Sequence, residues 1–220
     1  MLIVIEGVDG SGKQTQSELL QERLEQSGKH VRKLAFPNYQ GETSALVKMY
    51  LGGKFGENPN DINPYAASVF YAADRIGSFL SDWRKDYESD GVILCDRYTT
   101  SNAVHQSCKL EGDERDAYLD WLFDFEYNLV GLPKPDLVIF LNMPPEFGRE
   151  LTKNRANKIT GTMEKDIHEK NSDHIESAYN ATLYTAKRFG WHIVDCVKDG
   201  CVRTIEDINN EIYETVIKNA

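Results

Sequence analysis

The residues with the clearest chemical meaning stand near the start of the chain. Gly7, Asp9, Gly10, Ser11, Gly12 and Lys13 form Gly-x-Asp-Gly-Ser-Gly-Lys, directly after the apolar run LIVI at 2–5 and directly before a helical pattern beginning at Gln14. Closely spaced glycines let successive backbone N–H groups converge on phosphate oxygens, and a helix N-terminus adds partial positive charge at the same point. Lys13 supplies a mobile point charge for the terminal phosphates of a nucleoside triphosphate. The usual form of this motif places Ser or Thr after the Lys, as a hydroxyl ligand for Mg²⁺. Here that position is Gln14, followed by Thr15. A Mg²⁺ ion would then be held mainly through waters and substrate oxygens, an arrangement that suits its reluctance to dehydrate.

A second group follows the apolar run at 92–95: Asp96, Arg97 and Tyr98, then Ser101, Asn102, His105 and Gln106. A carboxylate at the end of a buried strand, beside a phosphate loop, can enter the metal's coordination shell. Arg97 next to it offers five donors for a phosphate. Farther back, Tyr71 and Arg75 are four apart and share one face if helical. Phe36 and Pro37 follow the run VRKLAF at 31–36.

These groups need a scaffold. Five short β-type runs, at 2–5, 31–36, 92–95, 136–141 and 192–195, alternate with longer helical stretches. Three of the five are nearly continuously apolar, as strands covered on both faces are. Repeated strand–helix–strand order demands a parallel sheet, because parallel neighbours require long crossovers. The expectation is an α/β chain of the P-loop NTPase type: three layers, α/β/α, around a five-stranded parallel sheet, in one domain spanning 1–220. The stretch from about 144 to 174 stands apart. It carries Lys153, Arg155, Lys158, Lys165 and Lys170, with few large apolar residues, and reads as an exposed, lid-like excursion.

Composition narrows the functional class. With 25 basic and 35 acidic residues in 220, the net charge is −10, which argues against broad phosphate neutralisation on nucleic acid. There is no apolar run long enough for a membrane span, and the first residues lack the basic leader of a signal peptide. Cys95, Cys108, Cys196 and Cys201 make no CxxC pair. These features suggest a cytoplasmic, reduced protein acting on small molecules.

Cys-Asp-Arg-Tyr-x-x-Ser at 95–101, the loop at 7–13, the Phe36-Pro37 pair and Phe-Tyr-Ala-Ala-Asp-Arg at 70–75 together resemble the thymidylate kinase family, in its order and spacing from residue 1 to about 195. The resemblance implies transfer of the γ-phosphoryl of ATP to dTMP, with Mg²⁺, in a homodimer packed through helices away from the site. It implies that Asp9 accepts from the 3′-hydroxyl, that Arg97 clamps the acceptor phosphate, and that Tyr71 and Phe36 wall the thymine, with Pro37 turning the chain. Arg75 would reach the base's carbonyl edge, and Ser101, Asn102 and Gln106 the base or sugar. His105 replaces a common Tyr beside the sugar's 2′ edge, and Tyr39 stands near a position often held by an Arg. With Gly10 in the loop, the transition-state cation is expected from the excursion, first Arg155, then Lys153. Two other readings share the loop: a kinase for dUMP, dCMP or thymidine, and a non-catalytic nucleotide-binding regulator. The second lacks its guanine motif, since Asn157-Lys158-Ile159-Thr160 has no Asp.

Overall fold

A computed structural model of the chain describes residues 1–152 and 172–219. Five strands, β1 (Leu2–Glu6), β2 (Val31–Ala35), β3 (Val92–Asp96), β4 (Leu137–Asn142) and β5 (His192–Asp195), form one sheet in the order β2-β3-β1-β4-β5. Every neighbouring pair is parallel, with Val4 opposite Cys95 and Val138 on its two sides. β1 is central and wholly buried, which is why its sequence shows no alternation.

Helices cover both faces. α1 (Lys13–Gln26) and α9 (Ile205–Asn219) lie on one face, where Leu20, Leu24, Ile208, Ile212 and Val216 pack on Ile3, Ile5, Leu94 and Ile139. The other face carries α2 (Ala45–Leu51), α3 (Pro64–Ser78), α4 (Arg84–Tyr87), α5 (Thr99–His105), α6 (Gly112–Phe123) and α8 (Ser172–Phe189). Between α3 and α4 the chain makes a π turn at Phe79–Trp83, and Phe79, Trp83 and Tyr98 pack on Leu2, Val4, Ile93 and Cys95. The three-layer expectation holds, and the five strands fall within one residue of their apolar runs.

Two features depart from the sequence reading. A small antiparallel ladder, β6 (Val197–Lys198) with β7 (Cys201–Val202), precedes α9; strands of two residues leave no periodicity to detect. The stretch at 144–174 also begins and ends in helix: α7 (Pro145–Thr152) leaves β4, with Phe147 packed on the core, and α8 carries buried His174. Lys153, Arg155, Lys158, Lys165 and Lys170 lie outside the described residues. Among the described residues no helix is long and apolar enough to cross a membrane.

Candidate active site

The phosphate loop follows the carboxyl end of β1, Phe36-Pro37 that of β2 and Asp96-Arg97 that of β3, the edge at which open α/β sheets bind ligands. β1 ends in Glu6 and releases the loop 7–12. Gly10 and Gly12 both take φ of 84°, the left-handed region in which a Cβ is costly, and Gly12 caps α1. Gly7 approaches β4 so closely that a Cβ there would lie 3.1 Å from the carbonyl oxygen of Leu141 and 2.5 Å from Ser11 Oγ. Ser11 Oγ is itself buried and makes no hydrogen bond among the described residues. Lys13 folds back over the loop, donating to the carbonyls of Gly7 (2.8 Å) and Val8 (2.9 Å). Burial, reinforced by Arg97, lowers its pKa from 10.5 to about 8, against the pull of Asp9, Asp96 and Glu6. Gln14 and Thr15 are exposed, and the Gln14 amide donates to Glu18 at 3.1 Å.

One guanidinium joins the loop to β3. Arg97 Nη2 donates to Asp9 Oδ1 at 2.7 Å. Its Nη1 lies within 3.3 Å of Glu6 Oε1, Ser101 Oγ and His105 Nε2. Since Arg only donates, His105 Nε2 accepts and the ring's proton sits on Nδ1. Burial works to raise the Asp9 pKa, but the charges of Arg97 and Lys13 and the Arg97 hydrogen bond overturn it and hold the carboxyl well below its usual range. Asp9 stays at the surface of the site, 42 % exposed. Arg97 itself takes φ of 68°, a strained backbone for a long side chain and the kind of outlier that collects at functional sites.

Glu6, unremarked in the sequence, organises this cluster from below. Fully buried, it accepts from the Gly7 amide (2.9 Å), Thr100 Oγ1 (2.7 Å) and Ser101 Oγ (2.8 Å). Ser101 therefore spends its hydroxyl on Glu6 and Arg97. Asp96 is buried at the end of β3, and its Oδ1 has no hydrogen-bond partner among the described residues. An orphaned carboxylate oxygen beside a phosphate loop fits a Mg²⁺ shell. Among the described residues no group of three or more His, Cys, Asp or Glu is arranged to hold a metal ion.

The acceptor side is more closed than expected. Arg75, only 2 % exposed, donates from Nε (2.8 Å) and Nη2 (2.5 Å) to Glu126, which is fully buried and also accepts from Thr99 Oγ1. Its remaining nitrogen, Nη1, lies 3.4 Å from the carbonyl of Tyr98. Burial opposes that charge, but Glu126 more than compensates and raises the Arg75 pKa. Tyr71 is half-buried and meets Tyr50 edge-on at 6.2 Å. Asn102 donates to the Ser68 carbonyl, bracing α5 against α3. Gln106 is fully buried, and neither of its amide atoms has a partner among the described residues, a costly state that a ligand would relieve. Phe36 sits 5.7 Å from Tyr98, and the bond to Pro37 is cis. Asp74 holds the turn that follows, accepting from the Asn38 amide (2.8 Å) and Thr43 Oγ1 (2.6 Å). Phe36, Pro37, Tyr39, Gln14 and Asp96 share a cleft of about 530 Å³.

α8 adds a residue that the sequence did not flag. His174 stacks on His105 with ring centroids 5.8 Å apart and planes 19° from parallel, and its Nδ1 lies 3.6 Å from Cys108 Sγ. Burial and Lys109 lower its pKa to about 4, so the ring is neutral near pH 7. Glu6, Glu126 and His174 carried no local signal, because each acts on a partner far away in the chain.

Comparison with known proteins bears on the family and the fold. The sequence model of the thymidylate kinase family matches residues 5–199. A thymidylate kinase of Mycobacterium tuberculosis is 32% identical over 194 residues, 87% of each chain. One from Plasmodium falciparum is 28% identical over 222 residues, 98% of this chain and 89% of the relative. The solved structure of thymidylate kinase from Candida albicans superposes with a TM-score of 0.72 at 23% identity, covering 99% of this chain and 91% of that one, a likeness of fold.

Proposed function

The chain belongs to the thymidylate kinase family, and from that premise we propose how its site phosphorylates dTMP. The reaction transfers the γ-phosphoryl of ATP to dTMP, giving dTDP and ADP. The observation that carries the assignment of residues is the Arg97 guanidinium, which stands just past the end of β3 and bridges Asp9 of the phosphate loop and Glu6 at the end of β1.

The loop amides of 10–13 and the Lys13 ammonium hold the donor's phosphates, with Ser11 Oγ as a further hydrogen-bonding group. Lys13 exchanges its present carbonyl partners for phosphate oxygens. Arg97 grips the acceptor's phosphate, and Asp9 accepts from its 3′-hydroxyl. Tyr71 and Phe36 enclose the thymine, whose polar edge faces the Gln106 amide and Arg75 Nη1; Tyr39 lies toward the acceptor phosphate and His105 toward the sugar. Ser101 acts through Glu6 and Arg97, and Asn102 through its brace on α3. The acceptor oxygen is already anionic, so no strong base is needed, and rate comes from alignment and charge neutralisation. Asp96, largely through water, would hold a Mg²⁺ ion, whose chemistry is to neutralise charge on the donor's phosphates. The further transition-state cation is assigned to Arg155 or Lys153.

A homodimer is proposed from the family resemblance, supported by exposed Leu46 on α2 and Tyr65 and Val69 on α3. A cytoplasmic setting suits four cysteines that form no disulfide, two of them deeply buried. The test is ADP release with a panel of acceptors. dTMP should be the best, thymidine should be inert, and Lys13→Ala should abolish turnover. Turnover of thymidine without dTMP would remove Arg97 from its role.

A further inference from the structure

α7 crosses the outside of the phosphate loop, and the two backbones meet where each has a glycine. A Cβ on Gly10 would overlap the carbonyl oxygen of Gly148, and a Cβ on Gly148 would lie 2.9 Å from the carbonyl oxygen of Asp9, nearer than packed carbons come. Gly10 has its own reason to be glycine, its φ of 84°. Gly148 has none. It lies inside α7 (Pro145–Thr152) and is not among the residues of positive φ. In a helix interior, glycine costs about 0.5–1 kcal/mol relative to alanine. A residue that weakens its own helix therefore stands where α7 touches the Asp9–Gly10 peptide.

We propose that Gly148 is a positioning residue for phosphoryl transfer: its bare backbone lets α7 seat directly on the phosphate loop and so fixes the Asp9 peptide, and with it the carboxylate that Arg97 engages. The inference rests on the reading of Asp9 and Arg97 as acceptor-side groups. A methyl at 148 must push the Asp9 carbonyl outward by several tenths of an ångström, because backbone cannot yield as a side-chain tip can. Displacements near 1 Å in a reacting geometry cost on the order of 10²-fold in rate.

The experiment compares Gly148→Ala with the parent by ADP release, using the acceptor on which the parent is most active, and by thermal unfolding. The expected result is a split. kcat/KM for the acceptor falls about 10- to 100-fold, while the unfolding midpoint moves by no more than a few degrees, because the helix gain from alanine offsets part of the cost of displacing the Asp9 carbonyl. Leu151→Ala, on the same helix at a side chain 60 % exposed, should keep the parental rate. Combined with Asp9→Asn, Gly148→Ala should add little further loss, since both act through one group. Parental kcat/KM in Gly148→Ala, a lowered midpoint that accounts for the lost activity, or full additivity with Asp9→Asn would each overturn the proposal. Failure of the dTMP assignment would appear instead in the parent enzyme, as a different best acceptor, and would leave the Gly148→Ala ratio readable.

Discussion

Glu126→Ala tests the deepest electrostatic feature of the structure. Arg75 and Glu126 are 2 % and 0 % exposed, joined by two hydrogen bonds of 2.8 and 2.5 Å. Removing one partner of such a pair strands the other charge in a medium that cannot solvate it, at a cost of about 3–5 kcal/mol. The lost acceptor of Thr99 Oγ1 adds to this. In a chain of this size each kcal/mol moves the midpoint by about 2–4 °C, so Glu126→Ala should unfold roughly 6–20 °C below the parent. The double variant Arg75→Met/Glu126→Met removes both charges while keeping volume, and should recover most of that loss. The Thr99 hydroxyl, still without its acceptor, holds back about 1–3 kcal/mol. Calorimetric unfolding of the three proteins, followed by the KM for dTMP in the double variant, separates fold from recognition. A drop of less than about 3 °C in Glu126→Ala would refute the claim that the pair is desolvated and mutually dependent. A stable double variant with a parental KM would remove Arg75 Nη1 from the base pocket.

Three further outcomes follow from the site. Lys13, lowered to about 8 by burial, is a full cation well below that pH and loses its proton as pH rises through it; binding of an anionic donor restores the charge. A non-hydrolysable ATP analogue should then take up about three-quarters of a proton at pH 8.5 and about a tenth at pH 7. The check is calorimetry in buffers of different ionisation heat, and no buffer dependence at pH 8.5 would contradict the buried-lysine account. Arg97→Lys cannot span Asp9 and the Glu6–Ser101–His105 side at once, and should lower kcat/KM for dTMP on the order of 10²-fold with little change in donor affinity. His174→Phe should preserve the stack on His105 and most activity, whereas His174→Ala should raise the dTMP KM severalfold. Equal effects of the two substitutions would mean that the ring contact is idle.

The division between what was readable in the chain and what was not follows sequence distance. The phosphate loop was legible because its chemistry is local: the left-handed glycines, the helix N-terminus and Lys13 lie within seven residues, and backbone geometry alone aims them together. The sheet was legible because strands covered on both faces must be apolar throughout, as in β1, and because parallel pairing needs crossovers. Asp96 and Arg97 were legible as the end of such a strand.

Tertiary structure alone decided the rest. Nothing local distinguishes Glu6 from any strand-terminal carboxylate or Glu126 from any helical one. They become the partners of Arg97 and Arg75 only when strand order and helix packing close 91 and 51 residues of separation. Arg75 looked like a group open to a base, and packing also makes it half of a buried ion pair that leaves only Nη1 to face a ligand, because α3 lies against the segment that carries Glu126. Likewise Gly148 is an ordinary small residue until β4 delivers α7 onto the loop at Gly10. Periodicity records which face of an element is buried. It does not record which partner waits there, since that contact free energy depends on atoms from two distant stretches of chain.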